Sequence, residues 1–202
     1  MPALAVGNNN VIPYRSPYER QNFTAYLGMV IFIASWGMMF AALFFVYGGI
    51  RSQAVIWPPL DAPPLPLALP TLNGLMVLLG SFYFVLAVRA AKVGQTQKIT
   101  SSLFMVLALG TVFLTLQAVV WMQLAQAGLL PSSSTYGSVF FGLTWVHAAH
   151  VLVGLVALLW LIWRASRGAI HPARFLAVKL WAMYWHFVGA VWLLLYFFVY
   201  VL

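Results

Sequence analysis

The chain has 202 residues, of which 64 % are apolar and only 6 % charged. A soluble domain carries about 25 % charged residues, so ten Lys or Arg and two Asp or Glu cannot coat a globule, and the apolar content excludes intrinsic disorder. The net charge of +8 does not point to nucleic acid, because the basic residues fall in short segments between long apolar runs, where they set membrane orientation. No cysteine is present, which removes disulfides, thiolate metal sites, iron–sulfur clusters and cysteine nucleophiles together.

The expected fold class is all-α and integral to a membrane, with a segment at 1–22 and one five-helix domain at 23–202. The first 22 residues do not read as a signal peptide: Pro2, Asn8, Asn9, Asn10 and Pro13 interrupt any apolar core, and Arg15, Glu19 and Arg20 follow it. The charge-free run from Gln21 to Ile50 predicts a first helix at 23–50. Pro58, Pro59, Pro63, Pro64, Pro66 and Pro70 then crowd the stretch from Trp57, which predicts a stiff, extended segment lying flat on the outer face. A second helix is expected at 71–91. The uncharged run from Ile99 to Trp163 is too long for one crossing, since a span needs about 20 residues. Gly128, Pro131, Ser132, Ser133, Ser134 and Gly137 mark its break, giving helices at 101–127 and 136–164. The last uncharged run, Leu180 to Leu202, gives a helix at 178–201. Runs that are continuously apolar, rather than alternating, exclude a β-barrel.

Arg15 and Arg20, then Arg89, Lys92 and Lys98, then Arg164, Arg167, Arg174 and Lys179 fall on one side of this topology, and Arg51 alone falls on the other. The asymmetry predicts a cytoplasmic N-terminus and a periplasmic C-terminus, as an odd number of spans requires.

Both carboxylates, Glu19 and Asp61, lie outside the spans, which leaves a proton or ion transporter without its usual groups. The remaining candidates are His147 and His150 in the fourth helix, His186 in the fifth, and His171 between them. A spacing of three puts His147 and His150 on one helix face. In lipid that face must turn toward protein, with polar partners expected on neighbouring helices. Two readings stand: haem or metal ligation, and helix packing. Depth favours packing. His150 precedes Arg164 by 14 residues, roughly 20 Å of helix, whereas His186 follows Lys179 by seven, roughly 10 Å. Ser35, Ser81, Thr111, Thr115, Gln117, Gln123 and Thr144 are the other polar residues in the spans, expected to link helices by hydrogen bonds of about 1 kcal/mol or less. Gly28, Gly110, Gly142, Gly154 and Gly189 are expected to allow close helix approach. Trp57, Trp163 and Trp181 sit at span ends as interfacial anchors, while Trp36, Trp121, Trp145 and Trp192 sit deeper. Such a chain suits a non-catalytic subunit of a larger complex.

Several stretches carry a resemblance. Trp145 to Gly154 reads WVHAAHVLVG and Tyr184 to Tyr196 reads YWHFVGAVWLLLY; Tyr136 to Phe141 (YGSVFF) leads into the first of these, and Gln117 precedes it. Trp57 to Pro59 (WPP) is followed by Pro70 and Asn73, and Leu27 to Tyr47 has Ser35 at its centre. In order and content these resemble subunit III of the haem–copper terminal oxidases, cytochrome c or quinol oxidases, in a short five-helix bacterial form. The resemblance implies a chain without a redox centre or metal of its own, with haem and copper held only by the partner subunit. It implies packing beside catalytic subunit I, with subunit II and small membrane subunits, in a bacterial inner membrane. It also implies bound phospholipid. Arg164, Arg167, Arg174 and Lys179, with Trp163, Trp181 and Trp185 beside them, are the expected headgroup site. His147, His150, His186, Gln117 and Ser35 are then helix-packing polar residues. Three acids usual in the family are missing: Trp36, Val120 and Gly189 stand at their places. A subunit-III-like accessory protein of nitric oxide reductase is the near alternative, and a haem-b membrane anchor the distant one.

Overall fold

The computed structural model describes residues 17–170 and 175–202. Among these residues every regular element is helical, and five helices are long and apolar enough to cross a membrane. They are α1 (Pro17–Gln53), α2 (Ala68–Lys92), α3 (Thr96–Gln126), α4 (Thr135–Ser166) and α5 (Leu176–Leu195), the last continued by a π-helical turn, Tyr196–Val201. Each span lies where a charge-free run places it, but the helices are longer. The 37 residues of α1 extend about 55 Å, well beyond a hydrocarbon core of about 30 Å. Backbone hydrogen bonding continues into the polar interface, where charges such as Arg20, Arg51, Arg89 and Lys92 join the helices.

Three of the turns share one device. Gly94, Gly128 and Gly168 have φ of 73°, 92° and 65°, a left-handed conformation that glycine adopts without a Cβ penalty. At each, two amides fold back on the helix just ended: Gly94 to Ala91 and Gln95 to Ala90, Gly128 to Ala125 and Leu129 to Leu124, Gly168 to Ala165 and Ala169 to Arg164. This is the Schellman closure, which satisfies the orphan carbonyls of α2, α3 and α4. Ser134 opens α4 by accepting the Gly137 amide at 3.0 Å, a serine N-cap.

The bundle proper is α2 to α5, with α2 packed along α3, α3 against α4, and α5 against both α2 and α4. Helix α1 lies outside it, chiefly along α5, and among its described side chains gives the buried core only Phe40 and Tyr47. The connections after α2 and α4 define a basic end, and the proline-rich connection after α1 lies at the opposite, proline end. That connection has no regular helix between Gln53 and Ala68. It is not merely laid on the surface: the Trp57 ring inserts between Tyr47 of α1 and Tyr136 of α4, with centroids 5.8 and 5.1 Å away. The Tyr47 hydroxyl donates to the Phe198 carbonyl at 3.0 Å, and the Arg51 guanidinium donates to the Leu202 carbonyl, so α1 is fastened to the π-turn at this end.

Candidate functional site

The centre of the bundle is organised around Trp185. Helix α5 presents this indole to three glycines, one on each of the other bundle helices. A Cβ at Gly80 of α2 would stand 3.1 Å from the indole Nε1, one at Gly110 of α3 would stand 2.7 Å from Cη2, and one at Gly154 of α4 would stand 3.2 Å from Cε3 and Cζ3. Trp185 is therefore a buried keystone. The expectation that it lines a headgroup site beside Trp163 and Trp181 is corrected: near the basic end of α5 its side of the helix faces α2, α3 and α4. Of the glycines named from the sequence, Gly110, Gly154 and Gly189 do allow close approach, whereas Gly28 and Gly142 have nothing within 4 Å. Gly80 joins the set from the structure.

The two histidines of α4 lie one turn away on the face toward α1, α3 and α5. Both are buried, His147 at 1 % exposure and His150 at 7 %. Their neighbours are mainly aromatic. Phe40, Phe113 and Trp192 surround His147, with ring centroids 6.2, 5.9 and 5.6 Å away. Trp36 meets His150 edge-on at 4.2 Å, and Phe40 at 5.1 Å. The His150 Nδ1–H donates to the Val146 carbonyl of its own helix at 2.6 Å, and the His150 carbonyl accepts from the Tyr184 hydroxyl at 2.9 Å. Among the described residues His147 has no hydrogen-bond partner at either nitrogen, nor has His150 at Nε2. So this face turns inward as its spacing predicts, but the polar side-chain partners expected on neighbouring helices are absent among the described residues. Aromatic edges and faces take their place, because α1 brings Trp36 and Phe40 there. His186 is half-buried on α5.

The polar links lie elsewhere. Gln117 of α3 is buried at 1 % exposure and joins three elements. Its Oε1 accepts from Asn73 Nδ2 of α2 at 3.4 Å, and its Nε2 donates to the Tyr200 hydroxyl at 3.3 Å. Beside it, the Thr71 and Tyr196 hydroxyls are 2.6 Å apart. Thr144 of α4 accepts the Trp121 indole N–H of α3 at 3.1 Å. Ser35 makes no such link: exposed on α1, it donates to the Ile31 carbonyl of its own helix at 2.9 Å. Thr111 and Thr115 likewise bond back to α3. Asn73, fully buried, is the polar residue that sequence reasoning passed over as a group with work to do, although an amide inside an apolar run is itself a signal.

At the basic end Arg164 lies over the Trp160 ring at 4.9 Å and Arg167 over the Trp163 ring at 4.3 Å. The Lys179 ammonium is 5.3 Å from the Tyr26 ring of α1. Between α4 and α5, Leu152, Val153, Val156, Ala157, Trp160 and Trp181 line an open apolar groove of about 610 Å³. Arg15, His171 and Arg174 lie outside the described residues. Trp36 stands against His150, Val120 is buried, and Gly189 faces Val77 and Ser81 of α2.

No group of three or more His, Cys, Asp or Glu side chains is placed to hold a metal ion among the described residues. Fold and interior together define a polytopic membrane protein in which Asn73, Gln117 and Thr144 join helices. The family model for "Cytochrome c oxidase subunit III" matches residues 21–202, and the chain belongs to that family as a subunit III of a terminal oxidase. A "Cytochrome c oxidase subunit 3" of Thermostichus vulcanus is 30 % identical over 186 residues, 92 % of this chain and 90 % of that one. One of Corynebacterium diphtheriae is 31 % identical over 201 residues, 97 % of each chain. A "Probable cytochrome c oxidase subunit 3" of Nocardia farcinica is 34 % identical over 168 residues, 83 % of this chain and 82 % of that one. Membership implies association with other oxidase subunits.

Proposed function

We propose that this chain is a non-catalytic subunit of its oxidase, set in a bacterial inner membrane beside catalytic subunit I, and that it stabilises that subunit and holds phospholipid. The observation that carries this reading is the state of the α4 histidines. They are the best ligand candidates in the spans, yet Trp36 and Phe40 close on the His150 ring, and His147 is walled by Phe40, Phe113 and Trp192. Neither has an open approach of the size a haem needs. Haem and copper then belong to the partner subunit.

Phospholipid fits the basic end. The groove between α4 and α5 has apolar walls for an acyl chain, and Arg164, stacked on the wall residue Trp160, stands about one turn beyond it. Arg167 and Lys179 add charge at that level, where each basic residue attracts an anionic headgroup by about 1 kcal/mol. In this reading the basic end is cytoplasmic and the proline end periplasmic.

The test is purification of the affinity-tagged chain from native membranes under mild detergent, with identification of what accompanies it. Stoichiometric recovery of a haem–copper catalytic subunit is expected. Recovery of the chain alone, or with a complex lacking such a subunit, would overturn the reading.

A further inference from the structure

His147 leaves an unmet demand that the packing around it does not explain. It is 1 % exposed, inside a membrane span, and neither ring nitrogen has a hydrogen-bond partner among the described residues. Burying a polar group without a partner is costly, and hydrocarbon offers no substitute. The same imidazole lines a small cavity between α2, α3, α4 and α5. Val77, Phe113, Val188 and Gly189 form much of its wall, and its volume is about 20 Å³. One water needs about 10–15 Å³ measured in this way, so the cavity takes one water and nothing larger.

Its wall carries the His147 imidazole and is otherwise almost wholly apolar, and Ser81 lies outside that wall. Gly189 brings bare backbone to it, and the Ser81 Oγ is 3.7 Å from where a Cβ at Gly189 would stand. Ser81 makes no hydrogen bond to the described residues, so its hydroxyl is available. Helix carbonyls also keep a second lone pair. Small apolar cavities stay dry, whereas one with two or more polar partners retains water. We infer that this cavity is a hydration site, holding one ordered water bonded to a ring nitrogen of His147, with Ser81 and the backbone beside Gly189 completing its shell. Neutral imidazole suits this role, since it offers one donor and one acceptor. His147 thereby serves α4 as the anchor of a water-mediated link to α2 and α5, in place of the direct side-chain bond that it lacks.

The experiment is a cryo-electron microscopy map of the assembled wild-type complex, at a resolution where other internal waters are visible. A density peak about 2.7–3.2 Å from a His147 ring nitrogen is expected in the cavity beside Gly189. Two results would overturn the inference: a cavity without a peak in a map that shows waters elsewhere, or an imidazole turned to bond the Leu143 carbonyl, as His150 does with Val146. A His147→Leu complex adds a second arm, in which the peak is lost while other internal waters remain. A peak that persists there is not held by His147 and contradicts the assignment. If that variant does not assemble, the wild-type map alone decides.

Discussion

Trp185 of α5 occupies space that exists only because residue 110 of α3 is glycine: a Cβ there would stand 2.7 Å from the indole Cη2 and 2.7 Å from Leu155 Cδ2. A rigid ring on one side and a core leucine on the other leave little room to yield. Gly110→Ala is therefore expected to destabilise the chain by about 1–3 kcal/mol, the usual range for overpacking. Gly142→Ala is the internal control. Nothing lies within 4 Å of a Cβ at that site, and alanine is the better helix former by up to about 1 kcal/mol. Unfolding of the two purified variants in detergent, followed by Trp fluorescence, checks the contrast. Equal effects would contradict the slot.

The amide of Gln117 is expected to couple α3 to the π-turn. Both of its hydrogen bonds are long, 3.4 Å from Asn73 and 3.3 Å to Tyr200, so the coupling is modest. A double-mutant cycle of Gln117→Leu with Tyr200→Phe should give an interaction energy of about 0.5–1 kcal/mol, in the range measured for such bonds in membranes. Strict additivity would show that the two side chains do not share a bond.

Arg164 and Arg167 are expected to hold anionic headgroups over the α4–α5 groove. Changing each to Gln should weaken lipid retention about fivefold per residue, from about 1 kcal/mol per charge. Native mass spectrometry of the complex, counting bound phospholipid as detergent is increased, is the readout. Unchanged retention in the double variant would reduce these charges to topological markers.

Orientation has a direct test because the chain is free of cysteine. Single substitutions at two exposed serines, Ser52→Cys at the proline end and Ser101→Cys at the basic end, give two reporters. A membrane-impermeant maleimide applied from the periplasmic side should label the first and spare the second. The reverse pattern would invert the topology, and labelling of both would contradict the span count.

The sequence made the spans legible, and the structure shows why it did not make their contacts so. Charge-free runs locate α1 to α5 because the hydrocarbon core rejects charge, and the cluster from Gly128 to Gly137 marks the break between α3 and α4. The shared face of His147 and His150 also follows from spacing. What escaped is rotational phase. Lipid tails are as apolar as leucine, so hydropathy does not separate a lipid-facing side from a protein-facing one. That is why Ser35 reads as a helix linker yet is exposed on α1, and why Trp185, one turn past Trp181, reads as an interfacial indole yet fills the centre. The glycine slot takes one residue from each of three helices, and no local pattern encodes it. The helix ends were misjudged for another reason: continued backbone hydrogen bonding carries α1 past the apolar run at both ends.

The role proposed for this chain is to contribute structure to an oxidase without carrying a redox centre. Its most direct test is the haem and copper content of the tagged complex before and after this subunit is separated from the catalytic one, by visible absorbance and metal analysis. All haem and copper are expected to stay with the catalytic fraction, and the isolated chain to show no Soret band. A stoichiometric haem or metal travelling with this chain, lost on replacing His147, His150 or His186, would contradict it.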